Sequence, residues 1–476
     1  MNQKDRSRIL LVFIGLLILL LSLVVYLSYI VTFKSDAIAK RPENRRRTIV
    51  KSNIKRGSIL DRDNNILAYS EAQGSEFKRI YNEPTAYSHI IGYSSVKHGD
   101  YLLEKSYRDY LLGEEEVPIK EMLPNLLDSI FSKEEKEGGN LILTTNTSLQ
   151  KYAHAILSDT HEKGAIVAMD PKTGEVLAMA SLPEYNSSNI DRDLSVITEQ
   201  NQGALLNRAT SGLYSPGSIY KIITSAALLE NPGISQNYDD TGEQEIDGRK
   251  FKNALNLKYG KINLKSAFVN SVNTYFVQKT VEIGQDSFGN VSDRFWINQD
   301  TNFDLPLKKS AFDHSKKLPA TTLAASGIGQ GNVLVTPLEM AMVASTIANE
   351  GKMMKPYLVQ KVVKSDGNIV HEQNPEVLSQ AIDANIANQI KEYMIGVVRE
   401  GTGKNARVRG IQVAGKTGTA ETSTGLNNAW FVGFAPANEP KIAVCVLLEG
   451  VDKHGGEAAA PLARDLINYA LKELKI

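Results

Sequence analysis

The chain has little of what disulfide-stabilised, metal-binding or nucleic-acid-binding proteins require. Its 476 residues include one cysteine, Cys445, which excludes an intrachain disulfide framework and a thiolate metal cluster. This cysteine lies in the apolar run at residues 442–448, so we predict a buried strand thiol. The seven histidines show no metal-ligand spacing, and we predict no catalytic metal and no cofactor. The formal net charge is zero, which gives no indication of a nucleic-acid partner.

One long uncharged segment lies near the N-terminus. Residues 9–33 are apolar or small throughout, and as a helix rising about 1.5 Å per residue they exceed the roughly 30 Å of membrane hydrocarbon. An A-x-A sequence at residues 37–39 resembles a signal-peptidase site, but the apolar core of a signal peptide is only about 7–15 residues long. We therefore predict an uncleaved transmembrane anchor at residues 9–33, preceded by a cytoplasmic tail at residues 1–8.

The basic residues around this segment do not settle its orientation. Three lysines and arginines precede it and six follow between residues 34 and 47, a count that by itself places the large domain in the cytoplasm. That rule is weak when a long globular domain follows, so orientation has to be argued from function. The basic, polar stretch to residue 55 is predicted to be a stalk that can contact anionic lipid headgroups.

Composition predicts two regions after the anchor. A charged, glycine-terminated segment at residues 134–139 indicates a linker between a non-catalytic stalk and pedestal, residues 34–138, and a larger domain, residues 139–476. In the pedestal, residues 56–68 predict a strand–turn–strand unit. Helical character is predicted at residues 101–112 and 119–131.

The larger domain mixes strands and helices. Strands at residues 164–169 and 175–180 flank a turn that contains Pro and Gly, which predicts a β-hairpin. Further strands are predicted at residues 141–144, 412–414, 429–435 and 441–448. Helices are predicted at residues 147–158, 219–229, 264–283, 336–349, 383–399 and 462–474.

The stretch Ser218-x-x-Lys221 carries the first chemical signal. Pro216 and Gly217 predict a turn that opens into a helix, so that Ser218 lies on the first turn and Lys221 shares its face. An uncharged lysine can take the proton of a neighbouring hydroxyl, and a helix N-terminus favours the resulting anion. The spacing alone is unspecific, because S-x-x-K occurs five times in the chain.

Two further elements follow in order, Ser271-x-Asn273 and the K-T-G-T sequence at residues 416–419. Each also has copies elsewhere, and the other K-T-G begins at Lys172 in the predicted hairpin turn, where a lysine normally points to water. Lys416 instead follows a predicted strand at residues 411–414. Alternation along that strand can direct Lys416 and the backbone after it into a cleft.

This ordered triplet resembles the penicillin-recognising serine transferases, which carry S-x-x-K, S-D-N and K-T-G, with Val272 here in place of Asp. Other segments are typical of class B penicillin-binding proteins, the high-molecular-weight D,D-transpeptidases. They are R-G-S-I-L-D-R at residues 56–62, A-M-D-P-K-T-G at 168–174, G-I-G-Q-G at 327–331, G-T-G at 401–403 and F-V-G-F-A-P at 431–436.

The resemblance implies an α/β (α+β) protein with one transmembrane helix, a small β-rich pedestal, and a transpeptidase domain whose mainly antiparallel sheet lies between helical layers. It implies cross-linking of peptidoglycan stem peptides, inhibition by β-lactams, and a catalytic domain outside the cytoplasmic membrane, where the substrate is. Residues 34–138 are too few for a glycosyltransferase domain. We therefore expect a membrane-embedded glycan polymerase of the shape-elongation-division-sporulation type to act as a partner.

Residue by residue, Ser218 matches the nucleophile that attacks the penultimate D-Ala carbonyl and expels the terminal D-Ala. Lys221 matches the general base, whose pKa must be lowered by burial and by the charge of Lys416. Ser271 matches the hydroxyl that relays a proton to the leaving amine. Asn273 matches the side chain that binds the substrate amide and holds Lys221.

The K-T-G-T segment matches the substrate-binding strand of the family. Lys416, Thr417 and Thr419 correspond to the anchors of the substrate carboxylate, with Gly418 between them. The backbone N–H groups of Ser218 and Thr419 correspond to the oxyanion hole.

Other interpretations stay open at this point. A serine β-lactamase or D,D-carboxypeptidase belongs to the same superfamily, although no E-x-x-L-N segment typical of class A β-lactamases lies between residues 273 and 416. A non-catalytic β-lactam sensor is a third candidate. Residues 410–417 also satisfy G-x-x-x-x-G-K-[ST], but a phosphate-binding loop must lead into a helix and the predicted context is a strand. The G-x-G-x-G at residues 327–331 follows no strand, so we predict close backbone packing there rather than a dinucleotide site.

Overall fold

The structure, a computed structural model, describes residues 3–29, 54–74, 76–113, 137–160, 163–200 and 203–474. The predicted helix at residues 119–131 lies outside these residues, as does the predicted basic stalk up to residue 53.

The N-terminal segment forms one long helix, α1 (Gln3–Tyr29). Its stretch from Leu11 to Tyr29 is long and apolar enough to cross a membrane, and none of it is buried against the rest of the chain. A hydrophobic surface of this length is unstable in water and stable in hydrocarbon. Length and composition therefore agree with the predicted anchor.

The N-terminal region after the anchor is rich in short strands. It contains β1 (Ile59–Leu60), β2 (Ile66–Gln73), β3 (Glu76–Tyr81), β4 (Tyr93–Ser95) and β5 (Gly99–Tyr101), with the short helices α2 (Ser88–Ile91), α3 (Leu103–Ser106) and α4 (Arg108–Leu112). The predicted strand–turn–strand unit is confirmed, because β1 and β2 pair antiparallel. The carboxylate of Asp61 stabilises the turn by accepting the backbone N–H groups of Asp63 and Asn65 at 2.9 and 2.8 Å.

The C-terminal region supplies the remaining elements. Its helices are α5 (Thr147–Ser158), α6 (Ile190–Glu199), α7 (Arg208–Ser211), α8 (Lys221–Leu229), α9 (Leu264–Val269), α10 (Asn273–Ile283), α11 (Gln285–Arg294), α12 (Ala320–Ser326), α13 (Pro337–Ala348), α14 (Ala384–Arg399) and α15 (Gly455–Glu473). Its strands are β6 (Asn140–Leu143), β7 (Lys163–Met169), β8 (Val176–Leu182), β9 (Tyr238–Asp240), β10 (Glu243–Ile246), β11 (Arg249–Lys252), β12 (Gly260–Ile262), β13 (Ala311–Phe312), β14 (Val333–Leu334), β15 (Lys352–Met354), β16 (Val359–Val363), β17 (Ile369–Glu372), β18 (Val377–Gln380), β19 (Ala414–Glu421), β20 (Asn427–Ala435) and β21 (Ile442–Val451).

A five-stranded antiparallel sheet forms the centre of the large domain, in the order β19-β20-β21-β7-β8. Successive residues of its strands enter two different cores, as alternation along a strand requires. For example, Cys445 packs on the side of α13, whereas Val444 and Val446 pack on the side of α15 and α5. The sheet lies between helical layers, and the buried strand position of Cys445 is confirmed.

A second sheet of six strands has the order β17-β16-β6-β1-β2-β3. Strands β16 and β17 come from residues 359–372, far along the chain. Strand β17 pairs with β16, and β16 pairs with β6, which runs parallel to β1. This sheet therefore joins the N-terminal region to the large domain through backbone hydrogen bonds.

Three predicted elements differ from the structure. The helix predicted at residues 264–283 is broken into α9 and α10, because Ser271 adopts a left-handed φ of 57°. The strand predicted at residues 412–414 begins instead at Ala414 and continues through the K-T-G-T segment, since that segment pairs with β20 along its whole length. The last helix begins at Gly455, before the predicted start, and contains Pro461.

Candidate active site

Ser218 lies in a tight turn that packs between two glycine-containing segments, the G-I-G-Q-G segment and the K-T-G-T segment. The 3-10 turn Gly217–Tyr220 leads directly into α8, and Gly217 has a φ of 57° and donates its N–H to the Gly329 carbonyl at 2.9 Å. A Cβ atom on Gly217 would lie 2.5 Å from the Thr419 carbonyl oxygen, and one on Gly329 would lie 2.1 Å from the Gly217 carbonyl oxygen. Only glycine fits these two contacts. The close packing predicted for the G-I-G-Q-G segment is confirmed.

Two different elements hold the segment before the Ser218 turn. The Trp430 indole N–H donates to the Ser215 carbonyl at 3.1 Å. Tyr214 exchanges two backbone hydrogen bonds with Val335, at 3.0 and 2.9 Å. Because two different elements hold the backbone of this preceding segment, the turn that carries Ser218 has a defined position. Within the described residues, its half-buried hydroxyl makes no hydrogen bond.

Lys221 extends from the first turn of α8 into the protein interior and is fully buried. Its Nζ donates to Asn273 Oδ1 at 2.8 Å, to the Ser271 carbonyl at 2.9 Å and to Ser271 Oγ at 3.2 Å. Its Nζ also lies 5.1 Å from the centre of the Phe276 ring. Ser271 and Asn273 of the second motif therefore supply the hydrogen-bond acceptors of the Lys221 amine.

Lys416 reaches the same hydroxyl from the opposite side. It is fully buried on β19, and its Nζ donates to Ser271 Oγ at 3.0 Å and to the Thr417 carbonyl at 3.2 Å. Among the described residues, neither Lys221 nor Lys416 forms an ion pair with a carboxylate. Ser271 Oγ thus links two buried amines.

Burial without a counter-charge favours the neutral amine. It lowers the pKa of Lys221 well below its ordinary value, and the nearby charge of Lys416 lowers it further. Burial also lowers the pKa of Lys416, to about 7. These are the directions that a base role for Lys221 requires.

The second motif owes its geometry to the break between α9 and α10. Ser271 N donates to the Phe268 carbonyl at 3.2 Å and Val272 N donates to the Ala267 carbonyl at 2.9 Å, which ends α9 with a left-handed residue. The turn directs both the carbonyl and the hydroxyl of Ser271 at Lys221. Asn273 then begins α10 with its side chain in the site.

The K-T-G-T segment lies at the edge of the central sheet, beside the turn that carries Ser218. A Cβ atom on Gly418 would lie 2.7 Å from the Pro216 carbonyl oxygen, so this glycine permits the approach of the two segments. The Thr417 hydroxyl is 2.6 Å from the Thr402 hydroxyl, and the Thr419 hydroxyl accepts the Gly455 N–H at 3.1 Å. Since β19 continues as a strand to Glu421, residues 410–417 do not form a phosphate-binding loop that opens a helix.

Hydrogen bonds thus bring Lys221, Ser271, Asn273 and Lys416 together, and the packing of Gly217 and Gly418 places Ser218 and Thr419 beside them. The other K-T-G copy lies in the β7–β8 turn, with Lys172 exposed as predicted. Sequence reasoning did not assign Thr402 a role, although the G-T-G pattern at residues 401–403 contains it.

Comparison with known proteins decides the family. Residues 164–468, more than half of the chain, match the family described as the penicillin binding protein transpeptidase domain. The chain belongs to this family. Residues 56–141 of this penicillin-binding protein match a second family, described as the penicillin binding protein A dimerisation domain.

Curated relatives and solved structures support this assignment along the chain. The protein is 31% identical to peptidoglycan D,D-transpeptidase PbpA of Mycolicibacterium smegmatis, covering 97% of this chain and 98% of that protein. The structure of penicillin-binding protein A from M. tuberculosis as a ceftriaxone acyl-enzyme complex has a TM-score of 0.82 at 29% identity, covering 89% of this chain and 100% of that one. A D,D-transpeptidase domain from Eggerthella lenta has a TM-score of 0.79 at 32% identity, covering 89% and 99%. The expected fold, an antiparallel sheet between helical layers, is confirmed.

Proposed function

We propose that this penicillin-binding protein is a peptidoglycan D,D-transpeptidase that cross-links stem peptides through an acyl-enzyme on Ser218. The observation that carries the proposal is the shared contact of Lys221 and Lys416 with Ser271 Oγ, directly beside the Ser218 turn. The family match and the relatives named peptidoglycan D,D-transpeptidase support the substrate class. β-Lactams, which the family's solved acyl-enzyme complexes contain, are the expected inhibitors.

Acylation begins with the neutral amine of Lys221. It takes the proton of the Ser218 hydroxyl as Ser218 Oγ forms a bond to the carbonyl carbon of the penultimate D-Ala. The backbone N–H groups of Ser218 and Thr419 stabilise the negative oxygen of the tetrahedral intermediate, a contribution of about 3–4 kcal/mol per donor in related chemistry. The C–N bond then breaks, and the leaving nitrogen takes a proton from Lys221 through the hydroxyl of Ser271. Terminal D-Ala departs.

Deacylation reverses these roles. An acceptor amine from a second stem peptide attacks the ester carbon, and its proton passes to the Ser218 oxygen as the ester C–O bond breaks. The product is a new peptide bond between two stem peptides, and the free serine is regenerated. No cofactor is required, because each half-reaction passes on the proton that it takes up.

Substrate binding involves the second and third motifs. Asn273 binds the substrate amide while its Oδ1 holds Lys221. Lys416, Thr417 and Thr419 anchor the substrate carboxylate, and the absence of a side chain on Gly418 keeps the strand close to the nucleophile. Because β19 is the edge strand of the sheet, an extended peptide can lie along it.

The membrane topology follows from the substrate. Residues 9–33 anchor the protein, residues 1–8 remain in the cytoplasm, and both the pedestal (34–138) and the transpeptidase domain (139–476) lie outside. An extracellular protease should release the catalytic domain from intact cells, and a domain that resists release while a surface control is cleaved contradicts this topology.

Glycan polymerisation comes from a membrane-embedded partner of the shape-elongation-division-sporulation type, so polymerisation of lipid II by the purified protein alone would contradict that part.

Intact-mass spectrometry after incubation with penicillin tests the central proposal. We expect one stable penicilloyl adduct on the wild-type protein and none on Ser218→Ala with an unchanged fold. An adduct that persists in Ser218→Ala overturns the assignment of the nucleophile. Destruction of the antibiotic without an adduct indicates a β-lactamase, and an assay with stem peptides that yields only hydrolysed product indicates a D,D-carboxypeptidase.

A further inference from the structure

A small β-rich segment between the first and second motifs contacts the catalytic asparagine. Its four strands, β9 to β12, cover residues 238–262 and pair as two antiparallel ribbons, β9 with β12 and β10 with β11. None of the three motifs includes any residue of this segment. Its hydrogen bonds nevertheless converge on the first residues of α10, where Asn273 and Thr274 lie.

The centre of this network is the Asp240 carboxylate, whose residue is 3% exposed. Within the described residues, four groups donate hydrogen bonds to this carboxylate. The donors are Thr274 Oγ1 at 2.6 Å, Tyr259 N at 2.8 Å, Asn253 Nδ2 at 3.0 Å and Gly242 N at 3.1 Å. A carboxylate is the side chain that can accept all four, because it has two oxygens and no donor.

Asn253 transmits this anchoring to the start of α10. Asp240 holds the Nδ2 end of its amide, so that Asn253 Oδ1 faces α10 and accepts the Thr274 N–H at 3.1 Å. The helix has no cap of its own, since Val272 occupies the N-cap position and offers no acceptor. Asn253 therefore caps from outside the helix that carries Asn273.

The neighbouring Lys252 determines which way the Asn273 amide points. Asn273 Nδ2 donates to the Lys252 carbonyl at 3.1 Å, and its Oδ1 accepts from Lys221 Nζ at 2.8 Å. The reverse orientation of this amide would place its NH₂ group against the Lys221 amine. The carbonyl that prevents this reversal belongs to the residue adjacent to Asn253.

We infer that Asp240 is a positioning residue for the transpeptidase reaction: through Asn253, Thr274 and Lys252 it fixes the Asn273 amide, and through Asn273 the Lys221 base. The inference rests on the proposed function. Asp240 contacts neither the nucleophile nor the other motif side chains, so its effect is transmitted by Asn273.

Asp240→Asn is the informative substitution because its shape is nearly unchanged. The amide replaces one acceptor oxygen by a donor, in a site where all four neighbours donate, so at least one buried donor loses its partner. Asp239→Asn is the matched control, since Asp239 is the preceding residue of β9 and is exposed. Thr274→Val is a second variant that removes only the hydroxyl bonded to Asp240 and keeps the Thr274 backbone N–H.

The measurement is the second-order rate of acylation by a fluorescent penicillin as a function of pH, with thermal unfolding followed in parallel. For Asp240→Asn we expect the plateau rate to fall about ten-fold, the order of one lost buried hydrogen bond. We also expect the acidic limb of the profile to move to lower pH by about half a unit or more, because a displaced Asn273 Oδ1 no longer stabilises the charged amine of Lys221. The other titratable groups here are Lys416 beside Lys221, and Tyr238 and Tyr259 beside Asp240.

Thr274→Val should give the same shift with a smaller loss of rate, and Asp239→Asn should stay within about two-fold of wild type. A wild-type rate and profile for both Asp240→Asn and Thr274→Val overturns the inference. The inference is also overturned if the rate falls only in proportion to the folded fraction while the acidic limb stays in place. That result describes a structural role. If Asp240→Asn does not fold, the shift in Thr274→Val decides. Failure of the wild-type protein to be acylated counts instead against the proposed function.

Discussion

The side-chain nitrogens of Lys221 and Lys416 donate to the same oxygen, Ser271 Oγ, at 3.2 and 3.0 Å. Two fully buried cations this close to one hydroxyl repel each other, with no carboxylate bonded to either among the described residues. Burial and the charge of Lys416 lower the pKa of Lys221 well below its ordinary value, which favours the neutral amine and reduces that repulsion. In the proposed mechanism, Ser271 lies between the base Lys221 and the substrate-anchoring Lys416, and its hydroxyl relays a proton to the leaving nitrogen.

Removal of this bridging hydroxyl should slow acylation far more than it affects folding. For Ser271→Ala we expect the acylation rate with penicillin to fall about a hundred-fold, the lower end of what a positioned proton-transfer group contributes. The rate can be measured with a fluorescent penicillin. Ser225→Ala is the matched control, because Ser225 is buried on α8 and has an Oγ without a hydrogen-bond partner in the described protein. Equal rates for the two variants would exclude a role for Ser271 Oγ.

The buried Lys416 should make the protein less stable at neutral pH than in mild alkali. Its pKa is about 7 in the folded protein, against roughly 10.4 in an unfolded chain. Between these values the unfolded chain binds a proton that the folded protein lacks, so the free energy of unfolding rises with pH by about 1.4 kcal/mol per unit.

Lys416→Met should remove the contribution of Lys416 to this slope, leave that of Lys221, and raise stability at pH 7 while abolishing acylation. Urea unfolding of wild type and variant at about pH 7, 8 and 9 gives the difference in the slope of the free energy of unfolding against pH. The control is Lys172→Met, in the exposed K-T-G copy of the β7–β8 turn, which should leave the slope unchanged. Parallel curves for wild type and Lys416→Met would contradict the prediction.

The glycine that supports the nucleophile turn should tolerate no side chain. Gly329 and Gly410 both have positive φ, 70° and 78°, so an alanine at either position carries the left-handed penalty of about 1–2 kcal/mol. A Cβ atom on Gly329 would also lie 2.1 Å from the Gly217 carbonyl oxygen, whereas one on Gly410 meets nothing within 4 Å.

We therefore expect Gly410→Ala to retain acylation with a modest loss of stability. Gly329→Ala should lose at least about ten-fold in acylation rate, because its Cβ displaces the turn that carries Ser218. Acylation kinetics and thermal unfolding of both variants measure the difference. Similar acylation by the two would show that the contact between Gly329 and Gly217 does not position the nucleophile.

His89 should make the protein sensitive to mild acid. Burial lowers the pKa of His89 to about 4, and its Nε2 is hydrogen-bonded to the Ala204 carbonyl at 2.8 Å, across the boundary between α2 and the large domain. As pH falls from about 6.5 towards 4 the unfolded chain takes up a proton that the folded protein does not bind. The free energy of unfolding should therefore fall by up to about 3 kcal/mol.

His89→Gln keeps a donor for Ala204 and cannot titrate, so its stability should depend less on pH over this range than that of wild type. Denaturant unfolding at about pH 7 and pH 5 measures the loss in the free energy of unfolding for each protein. His371→Gln, at an exposed position of β17, should behave like wild type. The same acid dependence in His89→Gln and wild type would assign the effect to other groups.

Local sequence patterns predicted a large part of this protein. The uncharged run near the N-terminus, the β7–β8 hairpin with its Pro- and Gly-containing turn, and the buried Cys445 each depend on a few neighbouring residues, and all are present in the structure. The order of the three motifs predicted the family. Helix α5 shows why such predictions succeed. The Asn146 side chain caps the helix by accepting the Leu149 N–H at 2.9 Å, so the capping residue and its partner lie close together in the sequence.

Only the tertiary structure decided the break at Ser271, the continuation of β19 through the third motif, and the role inferred for Asp240. No glycine or proline marks the break, and Ser271 adopts its left-handed conformation where Lys221 Nζ donates hydrogen bonds to its carbonyl and hydroxyl. The hydrogen bonds from Lys221 and Lys416 to Ser271 span 50 and 145 residues of sequence. Helix and strand patterns arise from neighbours in the chain, whereas these contacts depend on how distant segments pack, and periodicity carries no information about that packing.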